Sequence, residues 1–339
     1  MSNYNTASLT RRRLLGAVPG VALALAVVAA PAPTHARDAT PGAATPGGGW
    51  SFTDDRGVTV SLPQRPERIV AQTTSAAALW DYGVRPVAIY GPSRLADGTP
   101  DFQAGNIDLD AVESVGDYPE MDLEKLVALD PDLYVDLTLY DGGFWYLGEN
   151  QVQIEAIVPT LGITMEGVSI LQSIERFEEL AAALDADLTA PDVVEAKSAF
   201  AAAESDLKAA IAEKPGLTVL VVSPTTDNIY VASPDWMTDL HYFRDLGLDV
   251  VTHGADDFFE LLSWEQANTY PADLILVDAR SAQLSPEQLA DIPTWSALPA
   301  VQAGQIGPWY AGAPYSHARL VPIMQQLTEF IRASRADVV

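Results

Sequence analysis

Short apolar runs recur along the chain, most of them separated by enough residues for a helix: 69–71, 86–90 and 133–139, then 217–222, 229–231 and 274–277. Runs this short, bounded by Gly, Pro and Asp, predict buried strands rather than helices. Between them lie helical segments at 76–82, 151–158 and 239–246, the first and last closed by Gly83 and Gly247. Strands alternating with helices predict parallel sheets covered on both faces. Ahead of them, 50–62 alternates as a hairpin does, with Asp55-Arg56-Gly57 as its turn. The longest helical tract, 173–214, is broken near 188–191, and its second part, 193–212, would reach about 30 Å at 1.5 Å per residue. It reads as a rigid strut between two lobes, with a last helix expected at 322–335. The expected fold class is therefore α/β: two α/β lobes with central, mostly parallel sheets joined by one long rigid helix. The divisions fall at 50–190, 191–214 and 215–339.

One phrase occurs in each lobe. Glu124 stands near a helix start, a proline follows, and Asp132-Leu133 opens an apolar run; Glu265, Pro271 and Asp273-Leu274 repeat the order. The same number of residues separates the glutamate from the aspartate in both copies. Two lobes that each display one acidic residue at a matching place suit a partner that grips from two sides.

The amino-terminal 36 residues carry Thr10-Arg11-Arg12-Arg13-Leu14-Leu15-Gly16 and then an Ala/Val/Leu run, the pattern of a twin-arginine export signal, with Thr34-His35-Ala36 as a cleavage site. Residues 37–49 are rich in Pro, Gly, Ala and Thr and read as a flexible tether. The 339 residues, 48% of them hydrophobic, are enough for two ordinary cores. The chain has no cysteine, which excludes disulfides, thiolate metal sites and a lipobox anchor. Its formal charge of −27, more acidic still without the signal's arginines, makes nucleic acid and anionic lipid poor partners.

Three stretches in this order resemble the substrate-binding proteins of iron-siderophore and cobalamin ABC importers, the class III periplasmic binding proteins. They are Phe52-Thr53-Asp54-Asp55-Arg56-Gly57 leading to Pro66-Glu67-Arg68-Ile69-Val70, the 115–133 phrase beginning Val115-Gly116, and 295–309 with its Gly304-Gln305-Ile306 turn. The resemblance implies a shallow interlobe cleft, no catalysis and no resident cofactor. It also implies an exported, monomeric protein, at work in a periplasm or on the outer face of the membrane. In that family one glutamate of each lobe docks on the permease, and by position these are Glu124 and Glu265.

Ligands of such sheets lie beyond the carboxyl ends of the strands, and the loops there are aromatic. The expected ligand-binding residues are Tyr90, Arg94, Tyr140, Trp145 and Tyr146 in the first lobe, and Trp236, Arg280, Trp309, Tyr310 and Tyr315 in the second. Flat rings with arginine donors suit a large, partly apolar Fe(III)-siderophore complex. Few basic residues flank the cleft, which favours a hydroxamate chelate over an anionic catecholate. Cobalamin and haem remain alternatives, since a tyrosine can ligate haem iron. His241, His253 and His317 are too scattered to hold a bare metal. Ser316-His317 without a Gly-x-Ser-x-Gly elbow makes an exported hydrolase the remote reading.

Overall fold

A computed structural model describes residues 49–139, 142–280 and 283–339. The expected export signal, nearly all of the tether, and Tyr140 lie outside them. The described residues form one compact unit.

It opens with the hairpin β1 (Trp50–Thr53) and β2 (Thr59–Leu62), turned at Gly57 with φ +76°. Then come β3 (Ile69–Gln72), α1 (Thr73–Asp81), β4 (Ala88–Tyr90) and β5 (Glu113–Ser114), followed by the small hairpin β6 (Gly116–Asp117) and β7 (Glu120–Met121). Helix α2 (Leu123–Ala128), β8 (Leu133–Thr138), α3 (Gln151–Glu155) and β9 (Thr160–Thr164) complete the first lobe's sheet. Its order is β5-β4-β3-β8-β9, parallel throughout. Every residue of β3 and β8 is buried, as a parallel sheet covered on both faces requires.

Helices α4 (Ile170–Ala183) and α5 (Pro191–Ala212) follow, with Pro191 at the first turn of α5, where its missing N–H costs nothing. Next come β10 (Thr218–Pro224), β11 (Asn228–Ala232), α6 (Thr238–Asp245), β12 (Asp249–Val250), β13 (Phe259–Ser263) and β14 (Leu274–Asp278). Short helices α7 (Pro286–Ala290), α8 (Pro293–Ser296) and α9 (Pro299–Gln302) lead to β15 (Ile306–Trp309) and α10 (His317–Ala333). This second sheet runs β13-β11-β10-β14-β15, with β12 beside β10. It is parallel through β10, β12, β14 and β15 but antiparallel through β11 and β13. The connection from β10 to β11 is too short for a crossover and folds back as a hairpin. Helix α10 begins ahead of Pro322, which the sequence reading took as its start, because Ser316 accepts the Arg319 N–H at 3.1 Å and caps it.

The two copies of the repeated phrase end in the same latch. Asp132 Oδ2 accepts the backbone N–H groups of Glu67 and Arg68, both at 2.9 Å, where Leu133 pairs with Ile69. Asp273 Oδ2 accepts the Thr218 N–H at 3.0 Å, where Leu274 pairs with Val219. Each aspartate therefore ties the foot of its strand to the strand beside it.

Alternate residues of the strands face different cores. Val219 and Val221 join a cluster that continues through Leu133, Val135, Phe177, Phe200 and Met324, whereas Leu220 and Val222 meet Trp295 and Leu298 on the other face. The first of these clusters takes in both sheets together with α4, α5, α6 and α10. Helix α5 is held to α4 by Lys197–Glu178 at 2.9 Å and to α10 by Arg332–Asp206 at 2.6 Å.

Candidate functional site

A narrow cleft, partly open to solvent, lies between the two sheets. Trp145 and Tyr146, from the segment after β8, and Met165, just after β9, supply one wall. The other is built from the start of α6, the chain entering β13, Arg280 after β14, and the stretch from Trp309 to Tyr315 after β15.

The first wall is backed by a stack of phenols. Tyr146 lies face to face with Tyr118, centroids 4.4 Å apart, and Tyr118 meets Tyr90 edge-on at 5.2 Å. Gln72 Nε2 donates to the Tyr118 hydroxyl and fixes that ring. Gly91, at φ +118°, makes the stack possible, because a Cβ there would fall 2.5 Å from the Tyr118 ring. Tyr90 itself does not reach the cleft: its side chain is wholly buried in the first lobe's core.

In the second wall Trp309 packs against Phe259 at 6.3 Å, and its indole Nε1 donates to Asp239 Oδ2 at 2.7 Å. Tyr315 is stacked 6.0 Å from Phe177 of α4. Burial drives its phenol pKa upward, while a hydrogen bond with Thr238 opposes the rise. Two more contacts cross between the lobes: Phe102 meets Tyr310 edge-on at 5.2 Å, and Trp145 meets Phe258 at 5.3 Å. Trp145 remains 44% exposed, so its indole can report on what enters.

The charges of the cleft are unequal. Arg280 Nε lies 3.0 and 2.9 Å from the two oxygens of Asp278, whose side chain has no exposed surface and also accepts from Ser223 Oγ at 2.8 Å. Asp239 accepts from Trp309 and, at 2.9 Å, from the Leu240 N–H. Burial lifts its pKa to about 6; these two donors pull it down, and the nearby Asp278 adds to the rise.

The remaining expected residues fall elsewhere. Arg94 lies outside the cleft on an exposed loop, donating to Asp110 at 2.7 Å and to the Gly98 carbonyl at 3.1 Å. Trp236 stands behind Phe258, with centroids 6.0 Å apart, and braces the wall without forming it. Tyr140 is outside the described residues. Sequence reasoning missed Thr238, Asp239, Phe258 and Phe259, because they precede a strand or open a helix rather than follow a strand's carboxyl end. The doublet Phe258-Phe259 after two aspartates was the available signal.

Ser316 and His317 are not in the cleft. Ser316 is buried and donates to Asp81, while His317 pairs with Glu178 at 3.2 Å and abuts Phe200. Both fasten α10 to the first lobe. Among the described residues no group of three His, Cys, Asp or Glu side chains could hold a metal ion, and no helix is long and apolar enough to cross a membrane.

Glu124 and Glu265 are both exposed. The Asp122 N–H donates to the Val115 carbonyl at 2.8 Å, which puts the start of α2 at the carboxyl end of β5. Trp264 Nε1 donates to the Thr225 carbonyl at 3.2 Å, so the single 3-10 turn Trp264–Gln266 lies at the carboxyl end of β10. Each glutamate thus occupies the first turn of a short helix at the same end of its sheet. A hydrogen bond from Ser263 holds the Glu265 carboxyl below its ordinary range.

The model of the periplasmic binding protein family matches residues 70–309. The crystal structure of DesE, a ferric-siderophore receptor protein from Streptomyces coelicolor, matches with a TM-score of 0.81 at 36% identity, over 85% of this chain and 99% of that one. The Fe(3+)-citrate-binding protein YfmC of Bacillus subtilis is 24% identical over 258 residues, 75% of this chain and 76% of its own. The FhuD protein from S. pseudintermedius shares the fold, with a TM-score of 0.57 and 19% identity over 84% of this chain and 98% of that one.

Proposed function

The chain belongs to the periplasmic binding protein family, and on that footing we propose that it captures a ferric siderophore of the hydroxamate class outside the cytoplasm. It then surrenders the chelate to an ABC permease that docks on Glu124 and Glu265. The iron is cargo, carried inside its organic shell, and the protein performs no catalysis. The reading is carried by the cleft: rings from both lobes wall it, and its one guanidinium, Arg280, is committed to Asp278. A ferric hydroxamate is compact, largely apolar and carries little negative charge, which suits such walls. A tris-catecholate or ferric citrate is strongly anionic and would meet the Asp239 carboxylate with no free cluster of arginines to offset the repulsion. Similarity to a ferric-siderophore receptor at 36% identity supports the cargo class.

Intrinsic tryptophan fluorescence tests the cargo, since Trp145 and Trp309 line the cleft. Titration with a ferric trihydroxamate should quench it with saturation, and a ferric tris-catecholate or ferric citrate should leave it unchanged. Quenching by only the anionic chelates would overturn the hydroxamate assignment.

A further inference from the structure

We propose that Asp239 is the seat for a cationic group on the cargo, a primary ammonium displayed by the ferric chelate. The inference rests on the ferric-hydroxamate reading and adds to it the charge of the ligand.

The two carboxylates at this corner of the cleft differ in their company. Asp278 is matched by the Arg280 guanidinium, which approaches both of its oxygens. Asp239 has only neutral donors, the Trp309 indole at 2.7 Å and the Leu240 amide at 2.9 Å. Among the described residues no Lys, Arg or His forms an ion pair with it, and the charged group acting on it most strongly is another carboxylate, Asp278. Two acids and one base leave an excess negative charge at an aromatic surface.

A half-buried carboxylate without a counter-charge is costly, and the cost is offset when a cation arrives with the ligand. The surroundings favour an ammonium in particular. Trp309 and Tyr310 line the same cleft as Asp239, and such ring faces attract a cation. An ammonium also has three donors for the free lone pairs of the carboxylate. The groups facing Asp239 across the packed elements are Trp309 at the end of β15, Tyr315 after that strand and Asp278 at the end of β14, none of them a cation.

The experiment compares two ligands that share one iron centre: a linear ferric trihydroxamate ending in a free primary amine, and the same chelate with that amine acetylated. Fluorescence titration of the native protein at pH 7.5 should give a Kd roughly tenfold lower for the free amine, equivalent to about 1.4 kcal/mol. In Asp239→Asn, which keeps an oxygen for the Trp309 indole, the ratio should fall to near one. Equal affinities on the native protein would overturn the proposal while leaving the hydroxamate reading intact. So would a tenfold ratio that persists in a folded Asp239→Asn protein. Should neither chelate bind, the ferric-hydroxamate reading itself fails. The native comparison needs no variant, so equal affinities there overturn the proposal even if Asp239→Asn does not fold. In that event Asp239→Glu, which keeps the charge, should retain a preference for the free amine, and losing it would also overturn the proposal.

Discussion

Asp136 sits in the middle of β8 with no exposed surface, accepting the Tyr134 hydroxyl at 2.9 Å and the Leu137 N–H at 2.6 Å. Burial lifts its pKa from 3.8 to about 7 against those two donors, so the fold disfavours the charged form. A carboxyl whose folded value is raised adds stability below its unfolded value, near pH 4, and that stability is lost as pH rises through about 7. Asp136→Asn should therefore melt at a higher temperature than the native protein at pH 8, by up to about 4 kcal/mol of stability. The two proteins should converge below pH 4, as followed by circular dichroism. An equal gap at both pH values would place the effect in packing instead. Residue identity alone did not show which rings face the cargo. Tyr90 and Tyr146 both belong to the same phenol stack, but only Tyr146 meets the cleft, because Tyr90 points into the core from a buried strand while Tyr146 stands in a loop.

The repeated strand-and-helix unit was the most legible feature of the chain, since its aspartate and glutamate have separate physical duties. Asp132 and Asp273 accept backbone N–H groups at the feet of adjacent strands, and this is why each precedes a buried Leu. Glu124 and Glu265 make no such internal anchor and stay exposed in their first turns. What periodicity did not reveal is the antiparallel flank of the second sheet. Strand β13 reads as a mixed apolar segment, with Leu261 53% exposed and Leu262 buried, and its pairing with β11 depends on partners far along the chain. The missed cleft residues Phe258 and Phe259 belong to that flank. Charge reversal of both glutamates to arginine should leave chelate affinity within about twofold, because neither lines the cleft, while cellular uptake of the labelled chelate falls by at least tenfold. Uptake that survives the double change would remove the docking role.

Besides a cluster of its own, each sheet shares one interior with the other. One hydrophobic cluster runs from β8 and α4 through α5 to β10 and α10, and Tyr315 stacked on Phe177, His317 paired with Glu178 and Ser316 bonded to Asp81 stitch the lobes along its edge. Opening such a body widely would expose apolar area at roughly 25 cal/mol per Å², a cost that opposes wide hinge motion on loading. On the proposed docking, a body that resists wide opening presents nearly the same face, with its two acidic turns, to the permease with or without its chelate. A transporter that feels for that face cannot readily tell a full courier from an empty one. Uptake measured against rising protein at fixed, limiting chelate should climb, pass through a maximum and decline, as vacant couriers crowd the doorway; a curve that only saturates would mean that loading alters the docking face after all. On this view the cell must match the amount of courier it makes to the iron in reach, because surplus copies obstruct the traffic they exist to carry.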